Sequence, residues 1–329
     1  MPPETAPYRG VIIGLGNVAR TAHLPGMRRT PSPGTRLQIV GAVDPNPGVE
    51  LPGLSVVSTL ADIEAFGPID FVDICTQPAS HVDLVLWAVE RGLHVICEKP
   101  VAIRGADARR ITDAARRGRR VVMPCHQYRF NPAWHQVRQW LDQGAIGHWS
   151  LAEFQVYRLQ ADRGLDPASV PWRGRRRDSL GGVLLDHGTH LIYQLLDVAG
   201  APTSVRGWTT TLRHLEYDVE DTAQLVFAFP DRLATVFLTW AARHRETRLR
   251  FVGDQGTITW EGGQLQLVAK GTTETLDFSS ALDKSAYQYW FADLFEAFVS
   301  ALDQHAGDGF LDDIGQVAAV LEAAYPVPG

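Results

Sequence analysis

The sequence predicts two domains: an α/β domain on a doubly wound parallel sheet over residues 1–123, and an α+β domain with a mostly antiparallel sheet over residues 124–329. Up to Met123, strand-like and helix-like segments alternate regularly, which is typical of a parallel sheet. Beyond Val205, several β-type segments follow one another without helices, which indicates antiparallel pairing. A length of 329 residues accommodates two cores of ordinary size.

Apolar runs of strand length and segments of helical periodicity define the individual elements. The predicted strands of the first domain are Tyr8–Ile13, Leu37–Val43, Leu54–Val57, Asp70–Ile74, Leu93–Cys97 and Arg120–Met123. Its predicted helices are a stretch ending near Arg29, then Thr59–Phe66, Pro78–Arg91 and Arg104–Arg117. In the second domain we expect, in order, a helix Pro132–Gln143, a strand His148–Tyr157, a polar loop Gln160–Ser179, a helix Leu180–Ala199, the strands of residues 205–268, and two helices, Tyr287–His305 and Asp312–Tyr325.

The bulk composition excludes several classes of function. A formal net charge of −6 and a pI near 6.0 do not favour binding to nucleic acid or to an anionic membrane. No apolar run is long enough to span a bilayer, and Met1–Thr5 has neither a basic nor an apolar region, so we expect a cytoplasmic protein. Cys75, Cys97 and Cys125 end strand-like runs and fit no zinc signature, so we expect buried, reduced thiols and no metal.

A glycine-rich loop, residues 14–19, follows the first predicted strand. Gly14 permits a tight turn, Gly16 lets a pyrophosphate approach the backbone, and Ala19 allows close packing of the following helix, whose N-terminus favours anions. The next strand ends in Asp44, which can accept from a ribose 2′-hydroxyl and repels a 2′-phosphate. The pattern predicts a Rossmann domain that binds NAD in preference to NADP; the alternative interpretation is a plain tight turn.

Lys99 lies at the end of a buried strand, in the sequence Glu98-Lys99-Pro100. Pro100 takes the chain out of the sheet, so Lys99 is expected at the carboxyl edge, where open α/β sheets bind ligands. Because 3 of the 31 basic residues are lysines, we favour a specific role as donor to a substrate hydroxyl over a strand-end ion pair with Glu98. Thr76 and Gln77 belong to the same edge; they either reach the nicotinamide end of the cofactor or precede a helix that begins at Pro78.

Asp186 and His190 are four residues apart on a predicted helix, so their side chains leave the same face. A carboxylate beside an imidazole raises its basicity and can orient it for proton transfer, although such a pair is also a common solvated or capping contact. His187 leaves a different face and is interpreted as structural.

Four further residues are candidates for substrate binding. Trp172 and Arg173 lie in an arginine-rich loop where guanidinium groups suit phosphate or carboxylate and an indole can stack on a sugar. The alternative is a solvated loop that contacts another subunit. His126 and Arg129 either face the substrate or support the start of the following helix.

Together, the glycine loop, Glu98-Lys99-Pro100, the His126–Pro132 stretch and the Asp186-x-Gly188-x-His190 helix resemble the glucose–fructose oxidoreductase/inositol dehydrogenase (Gfo/Idh/MocA) family, in the right order and over nearly the whole chain. The resemblance implies a catalytic set of Lys99, Asp186 and His190. It also implies cofactor contacts along Gly14, Gly16, Asn17, Val18, Asp44, Thr76 and Glu98.

The same resemblance implies hydride transfer between NAD(P) and a secondary hydroxyl or ketone of a sugar, sugar derivative or cyclitol, with phosphorylated and nucleotide-linked sugars among the alternatives. It further implies homodimers or homotetramers built through the open face of the second domain's sheet. Two positions depart from the family pattern. Ser179-Leu180-Gly181-Gly182 stands where three glycines are common, and Tyr193 stands where an acidic residue is common, which leaves the substrate open.

Three rival functions compete with the dehydrogenase. Similar proteins include redox-neutral NAD-dependent glycosidases, and others are sensing regulators without turnover, although the latter tend to lose the lysine and histidine that are present here. A pyridoxal enzyme with Lys99 as Schiff base would need a phosphate cup and a pyridinium partner that the sequence does not offer.

Overall fold

The computed structural model describes residues 6–29, 36–46, 48–163, 170–283 and 286–325. The predicted fold class is confirmed: one sheet has six parallel strands, and the other has eight strands that are mostly antiparallel. The strands are β1 (Tyr8–Ile13), β2 (Leu37–Val43), β3 (Val56–Val57), β4 (Phe71–Ile74), β5 (His94–Cys97), β6 (Val122–Pro124), β7 (Trp149–Tyr157), β8 (Ser204–Thr210), β9 (Thr222–Ala228), β10 (Leu233–Thr239), β11 (Glu246–Gly253), β12 (Gly256–Glu261), β13 (Gln264–Ala269) and β14 (Thr272–Asp277).

The α-helices are α1 (Leu24–Met27), α2 (His81–Glu90), α3 (Gly105–Gly118), α4 (Pro132–Asp142), α5 (Arg176–Ser179), α6 (Thr189–Ala199), α7 (Tyr287–Gln304) and α8 (Asp308–Ala324). Two π-helical turns, Ala19–His23 and Leu184–Gly188, precede α1 and α6. The segment Leu60–Phe66, predicted as a helix, is a 3₁₀-helix. α4 begins as its sequence suggests, because the Asn131 side chain accepts from the Ala133 N–H and Pro132 occupies the first turn.

The first compact unit contains residues 1–127 and 287–315. Its sheet has the order β3-β2-β1-β4-β5-β6, in which the strand order reverses between β1 and β4. The phenyl rings of α7 pack on this unit: Phe298 lies 5.7 Å from Phe71 and Phe291 lies 4.4 Å from the His23 ring, measured between centroids. Gly26 permits this approach, since a Cβ there would lie 2.8 Å from the Phe291 side chain.

This packing differs from the predicted division into residues 1–123 and 124–329, because residues 287–315 group with the parallel sheet. The apolar periodicity of α7 predicts a helix and carries no information about which core that helix joins. The second unit contains residues 128–286 and 316–329.

The sheet of the second unit has the order β14-β13-β12-β11-β7-β10-β9-β8, and β7 and β10 form its parallel pair. One face is buried on an aromatic cluster, in which the Phe251 ring lies 5.6 Å from Phe154 and 6.4 Å from Trp134. The sheet also carries exposed large apolar side chains, namely Leu151, Trp208, Leu233 and Val268. Within the described ranges, no helix combines the length and apolar character that crossing a membrane requires.

The helix predicted over Leu180–Ala199 begins later. Leu180 has a φ of 65° and ends α5, and helical geometry then runs from residue 183 to residue 199. Because a π-turn holds more residues than an α-turn, the i,i+4 spacing of Asp186 and His190 does not fix their relative directions as it would in a regular α-helix.

Candidate active site

Four neighbouring parallel strands of the first unit end in register. Ile13 of β1 pairs with Val43 of β2 and with Ile74 of β4, and Ile74 pairs with Cys97 of β5. The residues that follow these strands therefore leave the sheet along one carboxyl edge: Gly14, Asp44, Cys75 and Glu98. Ligands of open α/β sheets bind outside this edge, at the point where the strand order reverses.

A hydrogen bond joins the glycine loop to Asp44. The Leu15 N–H donates to Asp44 Oδ2 at 2.7 Å, and the Asn46 N–H donates to Asp44 Oδ1 at 2.9 Å. Gly14 has a φ of 90°, and a Cβ at Gly16 would have no atom within 4 Å. Asn17 is exposed and Val18 half-buried at the start of the helix that spans residues 17–27. Since a carboxylate offers about four lone-pair sites, Asp44 retains capacity for ribose hydroxyls, and this set of residues fits an NAD molecule.

His81 connects the two remaining loops of the edge. Its Nδ1 lies 2.8 Å from the carbonyl oxygen of Pro100, and its Nε2 lies 3.1 Å from that of Thr76. The Thr76 hydroxyl accepts from Ser80, while Gln77 is exposed. Burial lowers the pKa of His81, although the two carbonyl contacts oppose that shift. The sequence predicts Thr76 and Gln77 as cofactor contacts, and His81 is a residue that sequence reasoning missed.

Glu98 belongs to a buried ionic cluster that sequence reasoning also missed. The His23 ring lies between two carboxylates, with Nδ1 2.9 Å from Asp73 Oδ2 and Nε2 3.0 Å from Glu98 Oε1. Burial by itself would lower the pKa of His23, but Asp73 and Cys125 together outweigh it and hold this pKa well above 6.5. Burial alone would raise the pKa of Glu98. The hydrogen bond to His23, the charge of His23 and the interactions with Lys99 hold this pKa below 4.5. The available signal was an aspartate inside an otherwise apolar strand, β4.

The three cysteines surround this cluster as buried, free thiols, and burial raises their pKa values well above 9.0. Two groups of metal-ligand type share His23: one with Asp73 and Cys75, the other with Glu98 and Cys125. Each ring nitrogen of His23 is within direct hydrogen-bond distance of a carboxylate, so we interpret the cluster as an ion-pair network. That the protein needs no metal stays a prediction.

Lys99 is half-buried at the end of β5, and its backbone N–H donates to Glu98 Oε2 at 3.1 Å. The Lys99–Pro100 peptide bond is cis. One carboxylate oxygen of Glu98 contacts the His23 ring, and the other accepts from the Lys99 backbone N–H. This arrangement ties the strand end that carries Lys99 to the first helix of the unit.

His126 and Arg129, which are predicted to face the substrate, belong to different units, and each has an acidic neighbour. His126, in the first unit, is buried, with its Nδ1 3.9 Å from Asp313 Oδ2. Arg129, in the second unit, has its Nε 3.7 Å from Asp197 Oδ1, and its guanidinium lies 5.7 Å from the centroid of the Tyr193 ring.

Asp186 and the predicted loop residues are in contact within the second unit. Arg173 Nε lies 3.3 Å from Asp186 Oδ1, and the Arg173 guanidinium lies 4.3 Å from the centroid of the Trp172 ring. His187 Nδ1 lies 3.1 Å from Asp186 Oδ2, so the histidine interpreted as structural is a direct neighbour of the catalytic candidate. Residues 164–169 of the predicted polar loop lie outside the described residues.

His190, on α6, contacts two tyrosines. Its Nδ1 lies 2.9 Å from the Tyr193 hydroxyl oxygen. The Tyr128 N–H donates to this oxygen at 3.0 Å. The Tyr128 ring meets the imidazole edge to face, with centroids 4.3 Å apart. The imidazole is therefore held in a defined orientation.

Glu220 supports the start of the same helical segment. Its Oε1 accepts from the N–H groups of Gly182 and Leu184 at 2.8 and 3.3 Å and from the Tyr325 hydroxyl at 2.7 Å. Burial raises the pKa of Glu220, against the lowering effect of these hydrogen bonds. Sequence reasoning missed this buried carboxylate because its partners are up to 105 residues away.

Comparison with known proteins shows the family of the chain. A family model described as an oxidoreductase family with an NAD-binding Rossmann fold matches residues 8–126, and one described as the GFO/IDH/MocA C-terminal domain matches residues 134–259. The chain belongs to the GFO/IDH/MocA oxidoreductase family. The resemblance and the NAD-binding Rossmann domain predicted from the sequence are thus confirmed.

Among curated relatives, this family member is similar to levoglucosan dehydrogenase of Pseudarthrobacter phenanthrenivorans, with 33% identity over 144 residues that cover 44% of this chain and 36% of that protein. It is 32% identical over 136 residues to D-glucoside 3-dehydrogenase of Escherichia coli, which cover 40% of this chain and 36% of that protein. The matches therefore span little more than a third of the length of these two relatives.

Solved structures of other proteins share the fold. Levoglucosan dehydrogenase in complex with NADH and levoglucosan has a TM-score of 0.81 at 22% identity, and the match covers 96% of both chains. A dehydrogenase of Bordetella pertussis in complex with NADH and UDP-GlcNAcA has a TM-score of 0.82 at 20% identity, covering 97% of this chain and 95% of that one.

Proposed function

We propose that this family member is an NAD-dependent dehydrogenase that transfers a hydride between the nicotinamide and a secondary hydroxyl, or the matching ketone, of a sugar, sugar derivative or cyclitol. The observation that carries the proposal is the register of β1, β2, β4 and β5, which aligns the glycine loop, Asp44 and the Glu98-Lys99 strand end on one edge. Its two relatives named for levoglucosan and D-glucoside oxidation support the substrate class.

The residues of the carboxyl edge would hold the cofactor. Gly14, Gly16, Asn17 and Val18 would face the pyrophosphate, and Asp44 would accept from the adenosine ribose. We assign Thr76, Gln77 and Glu98 to the nicotinamide end. When bound, NAD supplies the group that accepts or returns the hydride.

Lys99, Asp186 and His190 form the proposed catalytic set. Lys99 donates a hydrogen bond to the reacting oxygen and stabilises the negative charge that develops there. His190 exchanges a proton with that oxygen, taking it as the alcohol is oxidised and returning it as the ketone is reduced. Asp186 accepts from another substrate hydroxyl or keeps His190 in register.

A neutral polyol is the substrate we favour over a phosphorylated or nucleotide-linked sugar. The positive charge of the arginine-rich loop is balanced by acidic neighbours, since Arg173 pairs with Asp186, and Arg175 pairs with Asp178 at 2.7 Å. An anion would have to compete with these carboxylates for the guanidinium groups. Trp172, Arg173, His126 and Arg129 remain the proposed substrate contacts, with Trp172 offering an aromatic face to a sugar.

The homodimer or homotetramer also remains a proposal, as does a cytoplasmic location. Leu151 and Leu233, which pair in register on β7 and β10, and Trp208 on β8 are exposed on the sheet of the second unit. Exposed large apolar side chains on a sheet favour contact with a second copy. Light scattering coupled to size-exclusion chromatography measures the oligomeric state.

The test of the proposed function is the rise of reduced-nicotinamide absorbance when the protein and NAD⁺ meet a panel of inositols, neutral hexoses, their phosphates and nucleotide sugars. The Lys99→Ala variant purified in parallel controls for contaminating dehydrogenases. A rise with neutral sugars or cyclitols supports the proposal. Hydrolysis of a glycoside without net NADH would indicate the redox-neutral glycosidase, and NAD binding without any turnover would indicate the sensor.

A further inference from the structure

The hydroxyl oxygen of Tyr193 sits between a fixed donor and a histidine. The backbone N–H of Tyr128 can only donate, and it lies 3.0 Å from this oxygen. His190 Nδ1 lies 2.9 Å from the same oxygen. Tyr193 is fully buried, with an exposed fraction of 0%, so its hydroxyl makes these contacts inside the protein.

The proton positions follow from the donor and acceptor inventory. A phenol carries one proton and accepts through its oxygen, and an uncharged imidazole has one N–H and one bare nitrogen. The Tyr128 N–H takes one acceptor site of the phenolic oxygen, and His190 Nδ1 lies within hydrogen-bond distance of the same oxygen. A Tyr193 proton directed to His190 Nδ1 requires Nδ1 to be the bare nitrogen and places the ring proton on Nε2.

We propose that Tyr193 is a positioning residue that fixes His190 as the Nε2–H tautomer and passes its own proton to Nδ1 when Nε2 gives up a proton to the substrate oxygen. This inference rests on the proposed role of His190 and specifies the path of the proton. An acidic residue at position 193 would do the opposite, since a carboxylate accepts from Nδ1–H and leaves Nε2 bare.

The relay balances in the direction of ketone reduction. The hydride brings two electrons to the carbonyl carbon, and the electron pair of the C=O π bond moves to oxygen. The Nε2 proton moves to that oxygen as the Tyr193 proton moves to Nδ1. Nε2 then takes a proton from water, and Nδ1 returns its proton to the Tyr193 oxygen, which restores the starting state. Oxidation follows the same path in reverse, and the relay changes both rates by the same factor.

The surroundings of Tyr193 support a transient negative charge on its oxygen. The Tyr128 N–H points at this oxygen, and the Arg129 guanidinium lies 5.7 Å from the ring centroid. Both interactions favour the charged form of a phenol, whereas the burial of Tyr193 opposes it. Asp197, 3.7 Å from Arg129 Nε, offsets part of that positive charge. The edge-to-face contact with the Tyr128 ring restrains the orientation of the imidazole.

The first test is the side-chain ¹⁵N NMR spectrum of the histidines in the protein without substrate, with His190 assigned by the loss of its signals in His190→Asn. We expect the Nε2–H pattern in the unmodified protein. The Tyr193→Glu variant should shift His190 to the Nδ1–H pattern. An Nδ1–H pattern in the unmodified protein, or no change in Tyr193→Glu, would overturn the proposal whether or not a substrate is known.

The second test is kinetic. In Tyr193→Phe, we expect kcat to fall about tenfold in both directions, with KM changed less than about twofold and a smaller solvent isotope effect. Tyr289→Phe, which removes a hydroxyl from an exposed tyrosine of the first unit, is the matched control and should retain full kcat. Unchanged kcat and an unchanged isotope effect in Tyr193→Phe would contradict the relay. Failure of the proposed function itself would appear as absence of turnover with a normal NMR result.

Discussion

His23 Nε2 lies 3.0 Å from Glu98 Oε1, and this contact links the first helix of the Rossmann unit to the strand end that carries Lys99. The opposite ring nitrogen lies 2.9 Å from Asp73 Oδ2. One protonated imidazole thus serves two buried carboxylates. The geometry of the proposed catalytic edge depends on a charge that lies beneath it.

Replacing His23 with glutamine should destabilise the protein strongly, because two buried carboxylates lose their cation. We expect the free energy of unfolding to fall by about 3–5 kcal/mol in chemical denaturation at neutral pH. The double variant His23→Gln with Asp73→Asn should recover part of this loss. The exposed His135→Gln is the control and should change stability by less than about 0.5 kcal/mol. Equal losses in the single and double variants would contradict the ion-pair network.

Stability should decline as pH falls from about 6.5 to about 4, partly through His94. Burial, with the charge of Arg120, lowers the pKa of His94 to about 4, and the Val121 N–H donates to its bare Nδ1 at 3.0 Å. The unfolded chain therefore binds a proton in this window that the folded chain does not, so the contribution present above pH 6.5 is lost as pH falls through about 4. In His94→Gln, the slope of unfolding free energy against pH should be smaller across this window. An identical slope in the two proteins would contradict the assignment.

We expect a side chain at Gly16 to weaken NAD binding without destabilising the fold. A Cβ at Gly16 meets no atom within 4 Å, so Gly16→Ala should keep the melting temperature of the protein without NAD. The added methyl group would hinder the pyrophosphate, and we expect the Kd for NAD to rise at least about tenfold. Calorimetric titration measures it. Gly309→Ala, at an exposed position of α8 with similar free space, should leave the Kd unchanged.

Asp44 should set the preference for NAD. Asp44→Asn removes the charge and keeps an oxygen that can accept from the Leu15 N–H. Loss of the charge weakens the repulsion of a 2′-phosphate, so the ratio of NADP affinity to NAD affinity should rise about tenfold, or about 1.4 kcal/mol. Competition titrations with both cofactors measure this ratio. A ratio equal to that of the unmodified protein would mean that Asp44 does not face the ribose.

Local sequence patterns predicted much of the fold. β1 and β2 have the bounds that their apolar runs suggest, and the start of α4 follows from Asn131 and Pro132. The π-turn before α6 was not predictable, because no local pattern in Leu184–Gly188 distinguishes a π-turn from an α-helical turn. The grouping of α7 with the parallel sheet depends on which apolar surface it covers, which periodicity does not encode.

The candidate site was predictable where one segment carries the chemistry, as in the glycine loop and Glu98-Lys99-Pro100. It was not predictable where distant residues combine. His23, Asp73 and Glu98 are separated by 50 and 25 positions along the chain and meet through the sheet topology. Tyr193 was visible as a departure from the family pattern, but its partnership with Tyr128 and His190 required coordinates.

The most direct test of the central claim is turnover by Lys99→Ala on the substrate found in the absorbance panel. If Lys99 stabilises the reacting oxygen, kcat should fall by about two to four decades, while NAD affinity and the melting temperature stay close to those of the unmodified protein. Lys270→Ala, at an exposed lysine of the second unit, should retain full turnover. Near-normal turnover by Lys99→Ala would contradict the account.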